Sequence, residues 1–336
     1  MIIKGRAPVR ISFGGGGTDV SPYTEMYGGV ALNVTINKYV FASLKEREDN
    51  KIVLISGNED KKEEFNSVDE VNLNGDMLPL KAVVKKYHKK KKGIELYLFS
   101  EVPMRSGVGG SASIFVLLIS LFDAYNDSMK KDQYELAKEA YKFEREDLKI
   151  HGGRQDQYAV TFGGLNYMEF FKDDFVKVNR IILSETLMKE LDTNLLLFHI
   201  GERGVSGDVI ADQRESLKKP ESLEATHRTK ELAKEMKTLL INGELNKFGE
   251  KLHEAWESKK RHSSKISNPE IDKIYETFRE LGALGGKITG AGGGGHMIIY
   301  APLETHSRII KKANEMNVRH IPFNFDKEGV CIWRAN

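Results

Sequence analysis

The sequence is poor in several features that would mark other classes of protein. Its 336 residues contain a single cysteine, Cys331, which excludes an internal disulfide and fits a reducing cytoplasm. Long apolar runs are also missing, since the longest one, IFVLLISLF at 114–122, is about half of the length that spans a bilayer. The opening stretch MIIKGRAPVRISF is interrupted by basic residues and lacks the apolar core of a secretory signal. We therefore predict a cytoplasmic protein that has no membrane partner.

An excess of charge of either sign is equally missing. Lysine and arginine number 51 and aspartate and glutamate 49, which gives a formal net charge of +2 at pH 7. Chains that bind nucleic acid usually show a basic surplus, so this balance predicts no nucleic-acid partner. The local exception is the stretch KKYHKKKKG at 85–93, which we interpret as the solvated end of a helix, where lysines favour the helix dipole.

The apolar pattern alternates between strands and helices along a chain that is long enough for about two domains. Helical periodicity covers 78–90, 111–126, 132–149, 222–242, 244–260 and 269–282. Strand-like runs include VALNVTINKYVFASLKER, KIVLISG, IELYLFS and TNLLLFHIG. The elements do not follow the regular βαβ rhythm of a doubly wound fold. We therefore predict an α+β protein with two domains, at 1–185 and 186–336.

Clustered glycine is what the sequence has in excess. Three runs stand out: FGGGGTD at 13–19, SGVGGS at 106–111 and GAGGGGH at 290–296. Glycine loses more backbone entropy on folding than any other residue, so such a cluster needs a reason. A tight turn would explain one run. Three separate runs favour places where the backbone approaches a ligand.

The second glycine run leads directly into an apolar helical pattern, PMRSGVGGSASIFVLLISLFDAYN. Unpaired N–H groups and partial positive charge at a helix start make this arrangement an anion site. Ser111 would either cap the helix or present its hydroxyl to a phosphate-bound Mg²⁺. The run matches neither the Walker nor the Rossmann spacing. A phosphate site and a structural N-cap both remain open at this point.

Two carboxylates complete the chemical inventory. Glu144 falls in an apolar helical stripe between Tyr141 and Leu148, where it would form a structural salt bridge or bind magnesium. Asp156 lies in a glycine-opened loop, where it would cap a helix or orient an acceptor hydroxyl, with Arg154 beside it. A phosphate cradle, a metal site and an orienting carboxylate are what phosphoryl transfer needs.

The order of these motifs resembles the GHMP kinases, the superfamily of galactokinase, homoserine kinase, mevalonate kinase and phosphomevalonate kinase. The stretches that carry the resemblance are APVRISFGGGGTD, PMRSGVGGSAS, the pair Glu144 and Asp156, and GGKITGAGGGGH. The resemblance implies two α+β domains with the active site between them, and ATP and Mg²⁺ as the phosphoryl donor and its metal. A homodimer is one assembly that the sequence leaves open.

The resemblance also assigns roles to individual residues. Asp156 matches the base or orienter of the acceptor hydroxyl, Arg10 matches a basic residue beside it, and Ser111 and Glu144 match the magnesium ligands. The residues that match the ATP phosphate loop are Ser106, Gly107, Val108, Gly109, Gly110, Ser111, Ala112 and Ser113. At Gly110, family members usually have serine or threonine, so one hydroxyl near the phosphates is missing.

The substrate side of the resemblance is closest to the D-glycero-D-manno-heptose 7-phosphate kinases, on the stretches RAPVRISFGGGGTDVSPYTEMYGG and GGRQDQYAVTFGGLNYMEF. It implies transfer to the anomeric hydroxyl of a seven-carbon sugar phosphate. Gly16 and Gly17 replace the Glu-His of the galactokinase signature and would open room for a bulkier sugar. The residues expected on the substrate are Asp19, Gly16, Gly17, Gly292 and Gly293, with Arg154 or Arg203 on its phosphate. The alternatives are a fucokinase, a galactokinase-like enzyme, or a non-catalytic regulator of this fold.

Overall fold

The computed structural model of the protein describes residues 1–103, 105–128, 131–202 and 206–335, with the backbone alone at 206–208. Within these residues, none of the helices is both long enough and apolar enough to cross a bilayer. The architecture is α+β, with two β-sheets and helices packed against both of them. The fold class predicted from the sequence is therefore confirmed.

The larger sheet has eight strands and is built mainly from the first half of the chain. Its path runs β12-β1-β2-β5-β3-β4, and β6 pairs with β2 and with β7. All pairs are antiparallel except β3 with β5. Its strands are β1 (Ile2–Gly14), β2 (Gly29–Glu46), β3 (Ile52–Ser56), β4 (Lys61–Phe65), β5 (Ile94–Ser100), β6 (Leu165–Phe170), β7 (Val176–Arg180) and β12 (Cys331–Ala335).

Five helices accompany this sheet in the first half of the chain. They are α1 (Tyr23–Tyr27), α2 (Leu78–Tyr87), α3 (Gly110–Tyr125), α4 (Gln133–Tyr141) and α5 (Gln155–Phe162). Helix α3 is apolar almost all round and is the buried centre of the hydrophobic core on one face of the sheet. The phosphate-loop glycines come directly before this helix, so its packing fixes the loop.

The smaller sheet has four antiparallel strands in the order β11-β8-β10-β9. The strands are β8 (Leu195–His199), β9 (Gly285–Ile288), β10 (His296–Tyr300) and β11 (Arg319–His320). The helices of this half are α6 (Glu185–Thr193), α7 (Ser206–Ser216), α8 (Pro220–Ile241), α9 (Leu245–Lys260), α10 (Pro269–Glu280) and α11 (His306–Glu315). The third glycine run connects β9 with β10.

The two halves of the chain share one hydrophobic core. Apolar side chains of β1, such as Val9 and Phe13, pack in the same cluster as Leu197 and Ile298 from the smaller sheet. The chain also returns at its end, because β12 pairs with β1 in the larger sheet. A division near residue 185 remains a prediction, and the strand pairing attaches the last residues to the sheet of the first half.

Most of the predicted helices lie within a few residues of those observed, but α5 and α7, both near the site, were missed. Residues 155–162 form helix α5, where the sequence suggested a loop. Two glycine pairs flank this eight-residue helix, and they made it resemble a loop. The predicted helix at 132–149 is α-helical only to Tyr141 and continues as a π-helical segment, Lys142–Asp147.

Candidate active site

The second glycine run forms a loop with left-handed backbone at two positions, Gly107 (φ 85°) and Gly109 (φ 79°). Helix α3 then begins at Gly110, and Gly109 is its N-cap residue without a side-chain cap. Ser111 therefore lies inside the first turn, and the interpretation of this serine as the N-cap is wrong. Within the described chain, the N–H groups from Gly107 to Ala112 have no hydrogen-bond acceptor. Unpaired donors at a helix start are what an anion requires.

Arg10 connects the phosphate loop with the carboxylate of Asp156. Its side chain extends from β1 and is only 3% exposed. Its Nε donates to Oδ1 of Asp156 at 2.8 Å and its Nη1 donates to the carbonyl of Gly107 at 2.6 Å. The backbone of Arg10 also donates to the carbonyl of Val108 at 2.9 Å. The guanidinium of Arg10 thus fixes the distance between the phosphate loop and Asp156.

Asp156 lies in the first turn of α5, whose N-cap residue is Arg154. No side-chain cap forms at this helix start, so the interpretation of Asp156 as a cap is wrong. Its ion pair with Arg10 measures 2.7 Å, and its side chain is 19% exposed, against 4% for the arginine. The carboxylate is therefore the member of the pair that a substrate can reach.

Glu144 is completely buried beside the start of α3. Ser111 Oγ donates to its Oε1 at 2.6 Å, and Gln157 Nε2 donates to its Oε2 at 2.7 Å. Arg145 completes the surroundings with an ion pair of 3.1 Å to Oε1. The glutamate lies in the π-helical segment Lys142–Asp147, a form that is frequent at functional sites. The structural salt bridge and the contact with Ser111 are both present.

The residues at Ser111 and Glu144 suit a magnesium ion that takes its remaining ligands from phosphate and water. Mg²⁺ prefers oxygen ligands and is usually held by one or two carboxylates together with substrate phosphates. The hydroxyl and carboxylate oxygens are in direct contact at 2.6 Å, at the foot of the phosphate loop. Among the described residues, no group of three His, Cys, Asp or Glu side chains could hold a metal without such help.

Asp19 braces the first glycine run against α5. Its Oδ1 accepts from the backbone of Gly17 at 3.1 Å, and its Oδ2 accepts from Gln155 through the backbone at 3.1 Å and the side chain at 3.2 Å. Burial, and secondly the nearby charge of Asp156, raise the pKa of Asp19. A Cβ at position 153 would lie 2.1 Å from Oδ2, so Gly153 is required there. The observed contacts are those of a positioning residue, and direct substrate binding stays a prediction.

The third glycine run contacts the phosphate loop. A Cβ at Gly290 would lie 2.5 Å from the carbonyl oxygen of Gly107, and one at Gly295 would lie 2.4 Å from that of Ser106. His296 adds a hydrogen bond of 2.9 Å from its Nδ1 to the same Ser106 carbonyl. The sequence predicted that this run lies at the substrate end of the cleft. These contacts instead place the first and last glycines of the run against the phosphate loop.

The middle of the third run contacts a different segment. A Cβ at Gly292 would lie 3.0 Å from the Cα of Ile266, and the backbone of Gly293 donates to the Ile266 carbonyl at 2.8 Å. Both glycines have positive φ, at 110° and 77°. The backbone conformation and the contact with Ile266 therefore explain both glycines. Their contact with substrate stays a prediction.

Arg154, predicted to bind the substrate phosphate, already has two carboxylate partners. Its Nη2 lies 3.0 Å from Glu25 and 2.5 Å from Asp174, and its guanidinium lies over the ring of Tyr141. The residue is only 7% exposed. This arrangement favours the alternative of a structural ion pair. Arg203, the second residue predicted for that phosphate, lies outside the described residues.

Lys287 is a residue of the site that sequence reasoning missed. From β9 its Nζ donates to the carbonyl of Ser12 at 2.8 Å, while the Ser12 N–H donates to Thr289 Oγ1 at 3.1 Å. Burial, and secondly the charge of Arg10, lower the pKa of Lys287 to about 7. The signal in the sequence was a lysine within the third motif, GGKITG. Lys287 links the smaller sheet to the larger one at Ser12, which lies two residues from Arg10.

Several buried polar atoms around these residues have no hydrogen-bond partner in the part of the chain that the structure describes. They are Ser12 Oγ, Ser106 Oγ, Gln155 Oε1 and Gln157 Oε1. A buried donor or acceptor without a partner costs about 1–3 kcal/mol, so a cluster of them points to a missing ligand. Ser106 belongs to the phosphate loop, and Ser12 lies two residues from Arg10. Gln155 contacts Asp19, and Gln157 contacts Glu144.

Comparison with known proteins agrees with this geometry. The model of the GHMP kinase N-terminal domain matches residues 78–164, and that of the GHMP kinase C-terminal domain matches 236–318. A curated D-glycero-alpha-D-manno-heptose 7-phosphate kinase of Campylobacter jejuni is 35% identical over 99% of both chains. The chain belongs to the GHMP kinases. It is therefore an ATP-dependent phosphotransferase that acts on a hydroxyl group, and more narrowly a sugar kinase.

Other GHMP kinases are similar over nearly the whole chain. A crystal structure described as a D-glycero-D-manno-heptose 1-phosphate kinase, from Bacteroides thetaiotaomicron, has a TM-score of 0.83 and 27% identity, with 99% of both chains covered. A curated galactokinase of Lactococcus lactis subsp. cremoris is 26% identical over 88% of this chain and 84% of its own. The two heptose kinases each cover 99% of this chain, so the similarity extends over both of its halves.

Proposed function

We propose that this kinase transfers the γ-phosphoryl group of ATP to the anomeric hydroxyl of D-glycero-D-manno-heptose 7-phosphate, which gives the 1,7-bisphosphate. The observation that carries the proposal is the pair Arg10 and Asp156, held between the phosphate loop and the Asp19 turn. The similarity over 99% of the chain to a protein described as a heptose 7-phosphate kinase supports the choice of sugar.

The residues divide the work of an in-line transfer. The N–H groups of the loop from Gly107 to Ala112 bind the phosphates of ATP, together with the helix dipole of α3. Asp156 accepts or orients the proton of the acceptor hydroxyl, whose oxygen then forms a bond to the γ-phosphorus while the bond to the bridging oxygen of ADP breaks. Arg10 stabilises negative charge beside both groups. An anomeric hydroxyl is more acidic than an ordinary alcohol, which eases this step.

We propose Ser111 and Glu144 as the protein ligands of the magnesium ion. Ser111 and Glu144 would hold an ion whose positive charge would offset the charge that develops on the phosphates during transfer. Two further residues hold the carboxylate of Glu144 in place. Gln157 donates to Oε2 at 2.7 Å, and Arg145 pairs at 3.1 Å with Oε1, the oxygen that the serine also contacts. Location in the cytoplasm and assembly as a homodimer are further proposals, which rest on the sequence and on no contact of this chain.

The test is incubation of the protein with Mg-ATP and a panel of sugars, followed by the mass of each product and the amount of ADP. The panel contains D-glycero-D-manno-heptose, its 7-phosphate, its 1-phosphate, galactose and fucose. We expect a bisphosphate from the 7-phosphate at a much higher kcat/KM than any other product. Preferred use of galactose or fucose would make the protein a different sugar kinase, and no transfer to any sugar would favour a non-catalytic regulator.

The 1-phosphate belongs in the panel for a specific reason. The structural relative from Bacteroides thetaiotaomicron is described as a heptose 1-phosphate kinase, although the curated relative is described as a 7-phosphate kinase. Both descriptions name the same sugar and differ in the position of the phosphate. Preferred use of the 1-phosphate would retain the sugar and reverse the orientation of the substrate in the cleft.

A further inference from the structure

We infer that Arg214 of helix α7 binds the phosphate at the far end of the sugar and thereby selects a phosphorylated substrate. The inference rests on the proposed function, because it concerns the substrate of the same site. It replaces Arg154, whose positive charge is already paired through Nη2 with the carboxylates of Glu25 and Asp174.

Arg214 lines a cleft directly behind the first glycine run. Gly17, Gln213 and His262 line the same cleft, which has about 250 Å³ of space when its part open to solvent is included. The cleft has room for about a single water, about 10 Å³, so a phosphate group would lie in its part that is open to solvent. None of the described residues that line this cleft is a carboxylate. A phosphate there would meet no repelling acid.

Arg214 differs from the two other described arginines with a buried, unbonded Nε, because Arg145 and Arg154 pair with carboxylates through their other guanidinium nitrogens. The Nε of Arg214 is buried, and within the described chain it has neither a hydrogen bond nor an ion pair with a carboxylate. Its acidic neighbours are engaged elsewhere: Asp212 contacts Ser263 and Lys265, and Glu215 pairs with Lys218. A half-buried cation without a counter-ion is costly, and an incoming phosphate would supply the missing charge.

The other titratable side chain among the described residues that line the cleft, His262, carries no charge at neutral pH. Burial lowers the pKa of His262 to about 4, so its imidazole is neutral. Its Nε2 is hydrogen-bonded to Thr229 at 2.9 Å. Arg214 is therefore the cation of this cleft among the described residues.

A path of contacts connects the phosphate loop with the cleft of Arg214. From the phosphate loop, contacts run through Arg10 to Asp156, then from Asp156 to its neighbour Gln155 and on to Asp19 and Gly17. The cleft of Arg214 begins at Gly17, at the end of this path that is remote from ATP. Helix α7 is held there because Gln213 Nε2 donates to the carbonyl of Ala291 at 3.1 Å. A substrate with its anomeric end at Asp156 would direct its phosphate towards α7.

The experiment measures KM and kcat of Arg214→Ala for the heptose 7-phosphate, for the same heptose without phosphate, and for ATP. Charge-assisted hydrogen bonds to phosphate are strong enough that we expect KM for the sugar phosphate to rise roughly 10- to 150-fold. We expect KM for ATP and kcat/KM for the free heptose to change less than about twofold, and Arg214→Lys to keep part of the discrimination. The control is Arg319→Ala, which removes an exposed arginine of β11 and should leave all constants unchanged.

A second readout is independent of turnover. In a binding titration, inorganic phosphate should compete with the sugar phosphate for the wild-type protein. This competition should disappear in Arg214→Ala. Equal losses for the phosphorylated and free heptose, or unchanged KM for the sugar phosphate, would overturn the inference and leave the proposed function intact. A wild type that uses free and phosphorylated heptose equally would instead overturn the proposed function itself.

Discussion

The first and third glycine runs differ in what surrounds their glycines. In the third run, Gly290 and Gly295 are pressed against carbonyl oxygens of the phosphate loop, where a Cβ would lie 2.5 and 2.4 Å away. In the first run, Gly16 has no such contact, because a Cβ there would lie 3.6 Å from Gln155 Nε2 and 3.8 Å from Ser12 Oγ. The third run is therefore fixed by the packing of the protein on itself. In the first run, Gly15 is packed as closely, because a Cβ there would lie 2.2 Å from the Val30 carbonyl oxygen, whereas Gly16 leaves room for a methyl group in ordinary van der Waals contact.

This difference separates the two ends of the active site. At the donor end, loop, helix and third run contact one another closely, as suits a generic task such as the binding of ATP phosphates. At the acceptor end, Gly16 leaves room for a methyl group, and the cleft behind Gly17 opens to solvent. The reaction is general to GHMP kinases, and the acceptor end must carry the choice of substrate.

The largest expected effect lies where the two ends meet. Asp156→Asn keeps the shape of the side chain but removes the proton acceptor and the ion pair with Arg10. We expect kcat to fall by roughly 10²-fold or more, the usual scale for a positioned acid–base group, with KM for ATP nearly unchanged. Steady-state kinetics check this, with Asp69→Asn, at an exposed position, as the control. Near-normal turnover would remove Asp156 from the chemistry.

The next effect concerns the metal at the donor end. Glu144→Gln can keep hydrogen bonds to Ser111 and Gln157 while it loses the negative charge. We expect the Mg²⁺ concentration for half-maximal rate to rise about tenfold or more, with a large drop in kcat, because carboxylates dominate magnesium binding. A magnesium titration of the rate measures this. Glu146→Gln, two residues away and exposed, is the matched control.

The Glu144 variant also decides between two roles. Loss of stability with normal kinetics at low temperature would show that the pair with Arg145 is structural only. Removal of one partner of a buried ion pair can cost about 3–5 kcal/mol, so thermal unfolding of both variants has to be measured beside the kinetics.

A third change breaks the packing of the donor end. Gly290→Ala adds a Cβ that would lie 2.5 Å from the Gly107 carbonyl at a φ of 77°. The phosphate loop must move, so we expect KM for ATP to rise several-fold, along with a loss of stability of about 1–3 kcal/mol. The control is Gly75→Ala, which shares the positive φ of 72° but has no atom within 4 Å of the added Cβ. If both variants bind ATP equally well, the third run does not support the loop.

The smallest effect tests the space at the acceptor end. Gly16→Ala fits the protein without a clash, so stability should stay equal or increase by about 0.4–1 kcal/mol through the unfolded state. KM for the sugar phosphate should nevertheless rise a few-fold, because the methyl group occupies substrate space. Gly110→Ala, whose Cβ would meet only Val102 at 3.7 Å, should leave KM for the sugar unchanged. An unaltered sugar KM in Gly16→Ala would contradict the assignment of this space.

The donor end could be predicted from the sequence because its motifs are local. The glycine loop and the apolar helix after it are contiguous. The position of Glu144 in an apolar stripe predicts that its side chain is buried. The acceptor end depends on residues that are distant along the chain. Helix α7 was not predicted, so Arg214 could not be placed behind Gly17. The two carboxylates that occupy Arg154 lie 129 and 20 residues from it and carry no pattern that pairs them in advance.

The most direct test of the account is the position of the new phosphate. Heptose 7-phosphate labelled with ¹³C at C1 is incubated with the protein and Mg-ATP, and the product is examined by ³¹P and ¹³C NMR. The account predicts a second phosphorus resonance that couples to the labelled C1, with the 7-phosphate retained. A bisphosphate without coupling at C1, or consumption of ATP without a new sugar phosphate, would contradict the placement of the anomeric hydroxyl at Asp156.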